Sequence, residues 1–378
     1  MTTRKVLFVA NVAKEHICKF HIPTIKLLME RGWQVDVACK ADAEIPEAAE
    51  VYPMCWERSP FTVKTFKGIA QLKALIAANG YDVVYCHTPV GGLVARFAAR
   101  SFRKKGTKVV YCAHGLHFYK GAPLLNWLLF YPMEKLMARW TDMFITINPE
   151  DYDFVRKDFN RHMSVKLING IGVNFSRLDI ADRERIRKKY RADFGISDGT
   201  MALIYVAEII ANKNQGMLIE ALRLLRERGR DCVLLLAGPD HHDGSYFRLA
   251  QQYGVQDYVR FLGWRNDIGE LMAASDICVA SSIREGFGVN LVEAQYCGLP
   301  VVAASNRGHR AIIRDGENGF LVPLNDAAAM AERVEALIDS PELYGRMSHI
   351  DVRSYSCDSV AAEIEQYLIE VLNPLMSH

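Results

Sequence analysis

Ile277-Cys278-Val279-Ala280-Ser281-Ser282 leads through Ile283-Arg284-Glu285-Gly286-Phe287-Gly288 into Val289-Asn290-Leu291-Val292-Glu293-Ala294, and the segment ends near Gly298-Leu299-Pro300. The first part is a short apolar run, the second a loop with two glycines, the third a helical pattern. A strand, a glycine loop and a helix start in that order make an anion site. Glycine lets the backbone approach a phosphate, and the free N–H groups and dipole of a helix N-terminus favour negative charge. With a helix start at Gly288 or Val289, Glu293 lies one turn in, and helical side chains lean back toward the N-terminus. A carboxylate there repels phosphate and suits neutral hydroxyls, as the acidic residue of dinucleotide sites suits ribose. Glu285, in the loop, could bind other hydroxyls. The plainer alternative is a solvated glutamate after an ordinary glycine turn, since such turns precede many helices.

The same alternation runs outward to both ends of the chain. Val6-Leu7-Phe8-Val9-Ala10 reads as a strand buried on both faces, followed by a helix around 20–31 and a strand at 35–38. Further strands are expected at 82–86, 107–113, 142–147 and 164–168, with helices near 64–79, 91–103, 123–139 and 149–158. The rhythm breaks over 169–200. There a turn-rich stretch, Asn169 to Asn174, and a charged stretch, Asp182 to Arg191, mark a domain boundary. Strands then resume at 201–207, 232–237, 258–262, 276–280, 300–303 and 319–322, with helices between and after them. Repeated β-then-α units imply parallel sheets covered by helices. Two consecutive doubly wound α/β domains are the simplest account, with ligand expected in a cleft between them.

At about 150 residues per domain, a chain of 378 residues has room for two or three. Half its residues are hydrophobic and 24% are charged, which excludes disorder and collagen-like repeats. The net charge of +2 argues against a dedicated nucleic-acid binder. That balance hides an asymmetry: residues 1–170 carry 24 Lys/Arg against 15 Asp/Glu, the remainder 22 against 29. A basic half suits an anionic partner such as a membrane surface or phosphates, though drift between two domains gives the same pattern. The nine cysteines form no C-x-x-C and lie mostly in apolar runs, so they read as reduced core residues of a cytoplasmic protein. No signal peptide or membrane-spanning run is expected.

Glu285 and Glu293 have seven residues between them, with Gly288 and Asn290 inside and Gly-Leu-Pro-Val-Val after. This resembles the E-x7-E motif of the retaining nucleotide-sugar glycosyltransferases of family 4. The resemblance extends over nearly the whole chain. Asn318 to Pro323 resembles the family's N-G-x-L-V strand, and Ala113-His114-Gly115 its His-Gly on the acceptor side. The run His114 to Gly121 is similar to bacterial capsular and exopolysaccharide members. The resemblance implies the GT-B fold, two Rossmann-like domains facing each other across a cleft. It implies an acceptor-binding domain over 1–170 and a nucleotide-sugar donor domain over 175–355. The last helix, about 356–378, would pack back on the first domain.

The donor-side residues implied are Lys213, Arg265, Glu285, Gly288, Val289, Asn290 and Glu293. Lys213 matches the lysine that neutralises the leaving diphosphate, where charge accumulates as the glycosidic bond breaks. The family's usual Arg five residues earlier is Glu208 here, as in some polysaccharide-synthesis members. Arg265 is placed near the nucleobase. Its neighbour Trp264 could stack on a base or fill the core, the commoner role of a buried aromatic. His114, with Glu285 and Lys213, is expected at the reacting centre, not as a general base. His87 and His117 are expected on the acceptor side. A strand-end histidine also serves often as a hydrogen-bonded structural group.

The expected reaction is transfer of a hexosyl or N-acetylhexosaminyl group, with retention, from a donor expected to be UDP-linked. The acceptor would be a hydroxyl on a glycan or polyprenyl-diphosphate-linked sugar of a bacterial surface polysaccharide. No cofactor or obligatory metal is implied. Leu124 to Tyr131, unusually apolar, and the cluster Arg103 to Lys108 would suit a peripheral position at the inner face of the membrane; a buried helix is the alternative reading. Rival readings are a nucleotide-sugar 2-epimerase of the same architecture and a degenerate scaffold subunit, against which intact Glu285, Glu293 and Lys213 argue. No G-x-G-x-x-G or Walker lysine loop supports a dehydrogenase or nucleotide hydrolase.

Overall fold

Aliphatic runs without polar alternation form strands covered on both faces. The structure, a computed structural model describing residues 3–57, 62–159 and 162–373, has this arrangement: Val6–Ala10, Val83–Cys86 and Leu234–Leu236 are all buried. The chain divides into two compact units, Met1–Gly172 with Cys357–His378, and Val173–Ser356.

The first unit holds a seven-stranded sheet of β1 (Lys5–Val12), β2 (Gln34–Lys40), β3 (Glu50–Pro53), β4 (Val83–His87), β5 (Lys108–Ala113), β6 (Met143–Thr146) and β7 (Ser164–Leu167). Every pairing is parallel, in the order β3-β2-β1-β4-β5-β6-β7. The second unit holds β8 (Met201–Val206), β9 (Cys232–Ala237), β10 (Val259–Gly263), β11 (Ile277–Ala280), β12 (Val301–Ala304) and β13 (Phe320–Val322). Its order is β10-β9-β8-β11-β12-β13, again all parallel. Both sheets therefore reverse their direction of growth beside their first strand, the Rossmann topology. Ligands bind such sheets outside the carboxyl ends of the strands at that switch point.

Close packing of helices on these sheets needs small residues. A Cβ on Gly92, in helix Pro89–Ala99, would stand 2.4 Å from the Tyr111 ring, so only glycine lets this helix lie so near β5. The last helix, Cys357–Leu372, belongs to the first unit. Glu365 pairs with Arg31 at 2.7 Å, Glu370 with Lys166 at 2.7 Å, and Tyr367 donates to the Leu167 carbonyl at 3.2 Å. Positions 374–378 of the expected helix lie outside the described residues.

Three features depart from the sequence reading. β3 was not expected: it is four residues long, ends in Pro53 and lies at the sheet edge, where proline is tolerated. The charged stretch after Asp182, given no secondary structure in the sequence reading, is helix Arg183–Asp193, capped by Asp182, whose carboxylate accepts from Arg185 N at 3.0 Å. Arg187 and Arg191, one turn apart, converge on Asp276, which precedes β11 and also accepts from Ala202 N at 2.7 Å. Helix Leu124–Met137 is neither wholly buried nor wholly exposed. Trp127, Phe130 and Tyr131 pack on the core, while Leu124, Leu125, Leu128, Leu129 and Leu136 are exposed.

The same helix carries Glu134, buried beside the wholly buried Arg96 at 2.8 Å. Arg96 also donates through Nε to the Gly92 carbonyl at 2.9 Å and lies 3.9 Å from the centre of the Tyr111 ring. Among the described residues neither Nη atom finds an aligned acceptor, so the carboxylate compensates the guanidinium through charge more than through a directed hydrogen bond. Removing one partner leaves an uncompensated buried charge, which costs about 3–5 kcal/mol, whereas apolar replacement of both is often neutral. Glu134→Ala should therefore lose about that much stability in urea unfolding, and Arg96→Met with Glu134→Leu should recover most of it. A single variant as stable as the parent would contradict this role.

Candidate functional site

In the second unit the switch point lies between β8 and β11. Lys213 closes the short turn Ala211–Lys213 after β8, and Asn214 follows in the left-handed region at φ 52°. The Lys213 carbonyl accepts from the Ser281 hydroxyl at 2.8 Å, which ties this turn to the end of β11. The Ile283 N–H to Asn212 carbonyl bond, 2.8 Å, and the Asn212 amide to Arg284 carbonyl bond, 3.0 Å, add to that join. Lys213 Nζ and Glu285 Oε1 form an ion pair with both side chains about four-fifths buried. Two residues assigned separately from sequence are thus one charged couple.

The glycine loop ends at Gly288, the N-cap of helix Val289–Tyr296, which places Val289 and Asn290 at its first positions. Their N–H groups have no intrahelical acceptor, as at any helix start. A Cβ on Gly288 would come within 3.1 Å of the His309 ring, and one on Gly308 within 2.7 Å of Glu285 Cβ. The loop therefore rests on a second close turn, Arg307–Arg310, capped by Asn306. His309 is buried there. Burial lowers its pKa to about 4 against the upward pull of Glu285, and its Nδ1 lies 2.7 Å from the Ala304 carbonyl, so that nitrogen carries the proton.

Glu293 is 3% exposed and pairs with Arg177 of the turn Phe175–Leu178. Burial raises its pKa, and the guanidinium opposes that rise. Neither Arg177 nor His309 was singled out from the sequence. Arg177 lies 116 positions from its partner, in the stretch read as a boundary, and no local pattern marks it.

Arg265 is not brought into this group. It follows β10, two strands from β8, and its guanidinium is held by Asp267, with Nε to Oδ1 at 2.8 Å. Asp267 also accepts from Tyr190 at 2.7 Å. The core role expected for Trp264 is overturned: its side chain is 71% exposed, because it stands beyond the end of β10, where no helix covers it.

In the first unit the switch point lies between β1 and β4. His87 ends β4 and is wholly buried, and His114 follows β5, half-buried. Between them stand two histidines that sequence reading did not select, His16 and His21, with Nε2 atoms 3.2 Å apart. Positions five apart diverge on an α-helix. Here the wide turn Ala13–Ile17, closed by the Cys18 N–H to the Ala13 carbonyl, lets them meet. Burial pushes His16 down to about 2 and His114 to about 4, and holds His21 and His87 well below the usual range, so all four are neutral at pH 7. His117, expected beside them, is elsewhere: its ring packs on Phe130 at 4.7 Å and its carbonyl accepts from Asn126 at 2.9 Å. Beside the ends of β1 and β2 lies a pocket of about 580 Å³, whose lining includes Asn11, Lys40, Asp42, Trp56 and Lys64.

Comparison with known proteins agrees with this geometry. Residues 5–148 match the family described as glycosyl transferase 4-like, and residues 186–350 the family described as glycosyl transferases group 1. The chain is 44% identical to EpsD of Bacillus subtilis (strain 168) over 344 residues, 90% of this chain and 89% of EpsD. It is 24% identical over 332 residues, 84% of this chain and 83% of the relative, to an Escherichia coli UDP-Gal:alpha-D-GlcNAc-diphosphoundecaprenol alpha-1,3-galactosyltransferase. Among solved structures, Anabaena HepE in complex with UDP and glucose covers 97% of this chain and 100% of its own, with a TM-score of 0.78 at 21% identity. A Rickettsia africae glycosyltransferase covers 99% and 100%, with a TM-score of 0.81 at 18% identity. The structural likenesses carry the fold, and the long match to EpsD carries the kinship. Each Rossmann-like unit having its own glycosyltransferase counterpart, the chain belongs to the family-4-type glycosyltransferases of GT-B fold.

Proposed function

We propose that the protein transfers a hexosyl or N-acetylhexosaminyl group from a UDP-sugar, with retention, to a hydroxyl of a polyprenyl-diphosphate-linked glycan in surface polysaccharide assembly. The observation that carries this reading is the couple of Lys213 and Glu285 at the β8/β11 switch point, beside the start of helix Val289–Tyr296. The donor diphosphate lies against the first N–H groups of that helix, after Gly288, at Val289 and Asn290. Lys213 neutralises charge as the diphosphate leaves, Glu285 takes hydroxyls of the transferred sugar, and Glu293 takes the ribose. Each carboxylate already faces a cation, Lys213 beside Glu285 and Arg177 beside Glu293. Arg265 contacts the base edge only by leaving Asp267. Glu208, at the position where relatives carry arginine, is exposed and adds no second cation, so Lys213 carries the phosphate alone. No metal takes part at this end.

Support for the donor comes from HepE, solved with UDP. Support for the acceptor comes from the Escherichia coli relative, whose name gives UDP-Gal as donor and a diphosphoundecaprenol-linked sugar as acceptor. The acceptor binds the first unit near His87 and His114, with the pocket by Asn11 and Trp56 as its route. Attack comes from the face the leaving group departs, with a donor phosphate oxygen accepting the proton. His114 orients the reactants, since burial makes its ring a weak base.

The protein works at the inner face of the membrane. No helix among the described residues is long and apolar enough to cross it. The exposed leucines of helix Leu124–Met137 form one lipid-facing stripe. Arg103 donates to the Arg139 carbonyl at 2.9 Å, which sets exposed Lys104 and Lys105 beside the end of that helix.

Calorimetry with UDP, GDP and dTDP tests the donor. UDP should bind tightest, and Glu293→Ala should weaken it by about 1.5–3 kcal/mol, the worth of hydrogen bonds to a charged acceptor. Unchanged UDP affinity would remove the ribose assignment. Lys213→Ala should lower turnover by roughly 10²–10³, as loss of one preorganised charge-stabilising group does, with little change in uridine binding. Wild-type turnover would refute the leaving-group role. In vesicle flotation the protein should rise with anionic lipid at low salt. It should stay down when 1 M salt shortens screening to about 3 Å. Leu125→Asp with Leu128→Asp should abolish flotation, and flotation unaffected by either change would exclude the leucine stripe as the docking face.

A further inference from the structure

The four strand-end histidines of the first unit remain unexplained by donor chemistry. We propose that His16, His21, His87 and His114 bind one divalent transition-metal ion of the zinc type, a site separate from the donor end. One ring nitrogen from each lies within 4.8 Å of the others. The His16 and His21 Nε2 atoms are 3.2 Å apart. A tetrahedral zinc with bonds of about 2.0–2.1 Å sets its ligand atoms roughly 3.3–3.4 Å from one another, so this pair already spans one edge. The remaining edges, none longer than 4.8 Å, would have to shorten to that length.

Two histidines facing each other at 3.2 Å also read as a hydrogen bond, and the rings pack as aromatic bodies. His87 lies 3.9 Å from His21, 4.2 Å from Tyr85 and 5.8 Å from Phe8, ring centre to ring centre. Packing accounts for the carbon edges and leaves the nitrogens unsatisfied. Among the described residues, neither ring nitrogen of His87 nor His114 Nε2 has a hydrogen-bond partner, although each is buried. Buried polar atoms are nearly always paired, and one such cluster of orphaned nitrogens calls for a ligand. An ion would take one lone pair from each ring at once.

The donor set names the class of ion. Four imidazoles with no carboxylate or thiolate suit zinc, copper, nickel or iron, and reject magnesium and calcium, which prefer oxygen. Four protein ligands close the coordination shell, the arrangement of a structural ion. The ion would join the turn after β1 to the ends of β4 and β5, across the switch point of the sheet. It would thereby fix His114 and the loop behind it, whose Gly115 stands at φ 121°. Its role is to position the acceptor side, not to handle the diphosphate.

The test uses the full chain without a polyhistidine tag, stripped with a chelator. Zn²⁺ is titrated against a chromophoric competitor, and Co²⁺ is followed by its visible absorption. One equivalent of Zn²⁺ per chain, a raised melting temperature and the intense bands of four-coordinate Co²⁺ are expected. His16→Gln and His114→Gln should each weaken Zn²⁺ by at least the roughly 10–100-fold that loss of a mere supporting partner costs. His349→Gln, in the second unit, should not. Melting of the metal-free variants with that of the metal-free parent confirms that the loss is not misfolding. Absence of stoichiometric Zn²⁺ binding by the wild type overturns the proposal whether or not the variants fold, and so does binding that survives both substitutions. The rings would then be a packed aromatic cluster and nothing more.

Discussion

A parallel sheet buried on both faces leaves polar chemistry one place to stand, the carboxyl ends of its strands. Both units obey this constraint. Between those ends the strands are mostly apolar and dry, and a polar group there needs a partner, as Asp36 of β2 has in the Tyr81 hydroxyl, which donates to it at 2.6 Å. Where the strands stop, the loops carry Lys213, Glu285 and the start of helix Val289–Tyr296 in one unit, and His16, His87 and His114 in the other. The reversal of strand order beside β1 and beside β8 opens the crevice that these loops line.

The two crevices solve the problem of buried polarity differently. In the second unit buried charges meet counter-charges: Lys213 with Glu285, Glu293 with Arg177, Asp276 with Arg187 and Arg191. Such couples offset the desolvation of both partners. In the first unit the crevice is lined by imidazoles that burial keeps neutral. Charge suits a site that meets a diphosphate. Uncharged rings with free lone pairs suit a different ligand.

The basic excess of residues 1–170 is not all surface charge. Arg96 is buried with Glu134, and Arg103 is bound bidentately by Asp142, with Nη2 to Oδ1 at 2.7 Å. These residues hold the first unit together. Of the exposed basic residues, Lys104, Lys105 and Lys120 adjoin or precede the leucine-faced helix.

Much of this was legible in the sequence because it is local. Aliphatic runs such as Val6–Ala10 and Ile277–Ala280 declare strands, and Gly288 with the helical pattern after it declares the helix start at Val289, since each depends on neighbours within a few positions. The spacing of Glu285 and Glu293, together with the features along the rest of the chain, was enough to suggest the family. What tertiary structure alone decided are the partnerships. Arg177 meets Glu293 across 116 positions, Lys213 meets Glu285 across 72, and Arg187 anchors the charged helix after Asp182 on Asp276, 89 positions away. Trp264 was read as core because composition favours that, yet no element covers the end of β10. His16 and His21 were invisible as a pair because five positions apart diverge on an α-helix, and only the wide turn after β1 brings them together with His87 and His114. Periodicity reports which face of an element is dry, but the counter-charge or ring that meets a given side chain is chosen by sheet order and loop path, which no local pattern encodes.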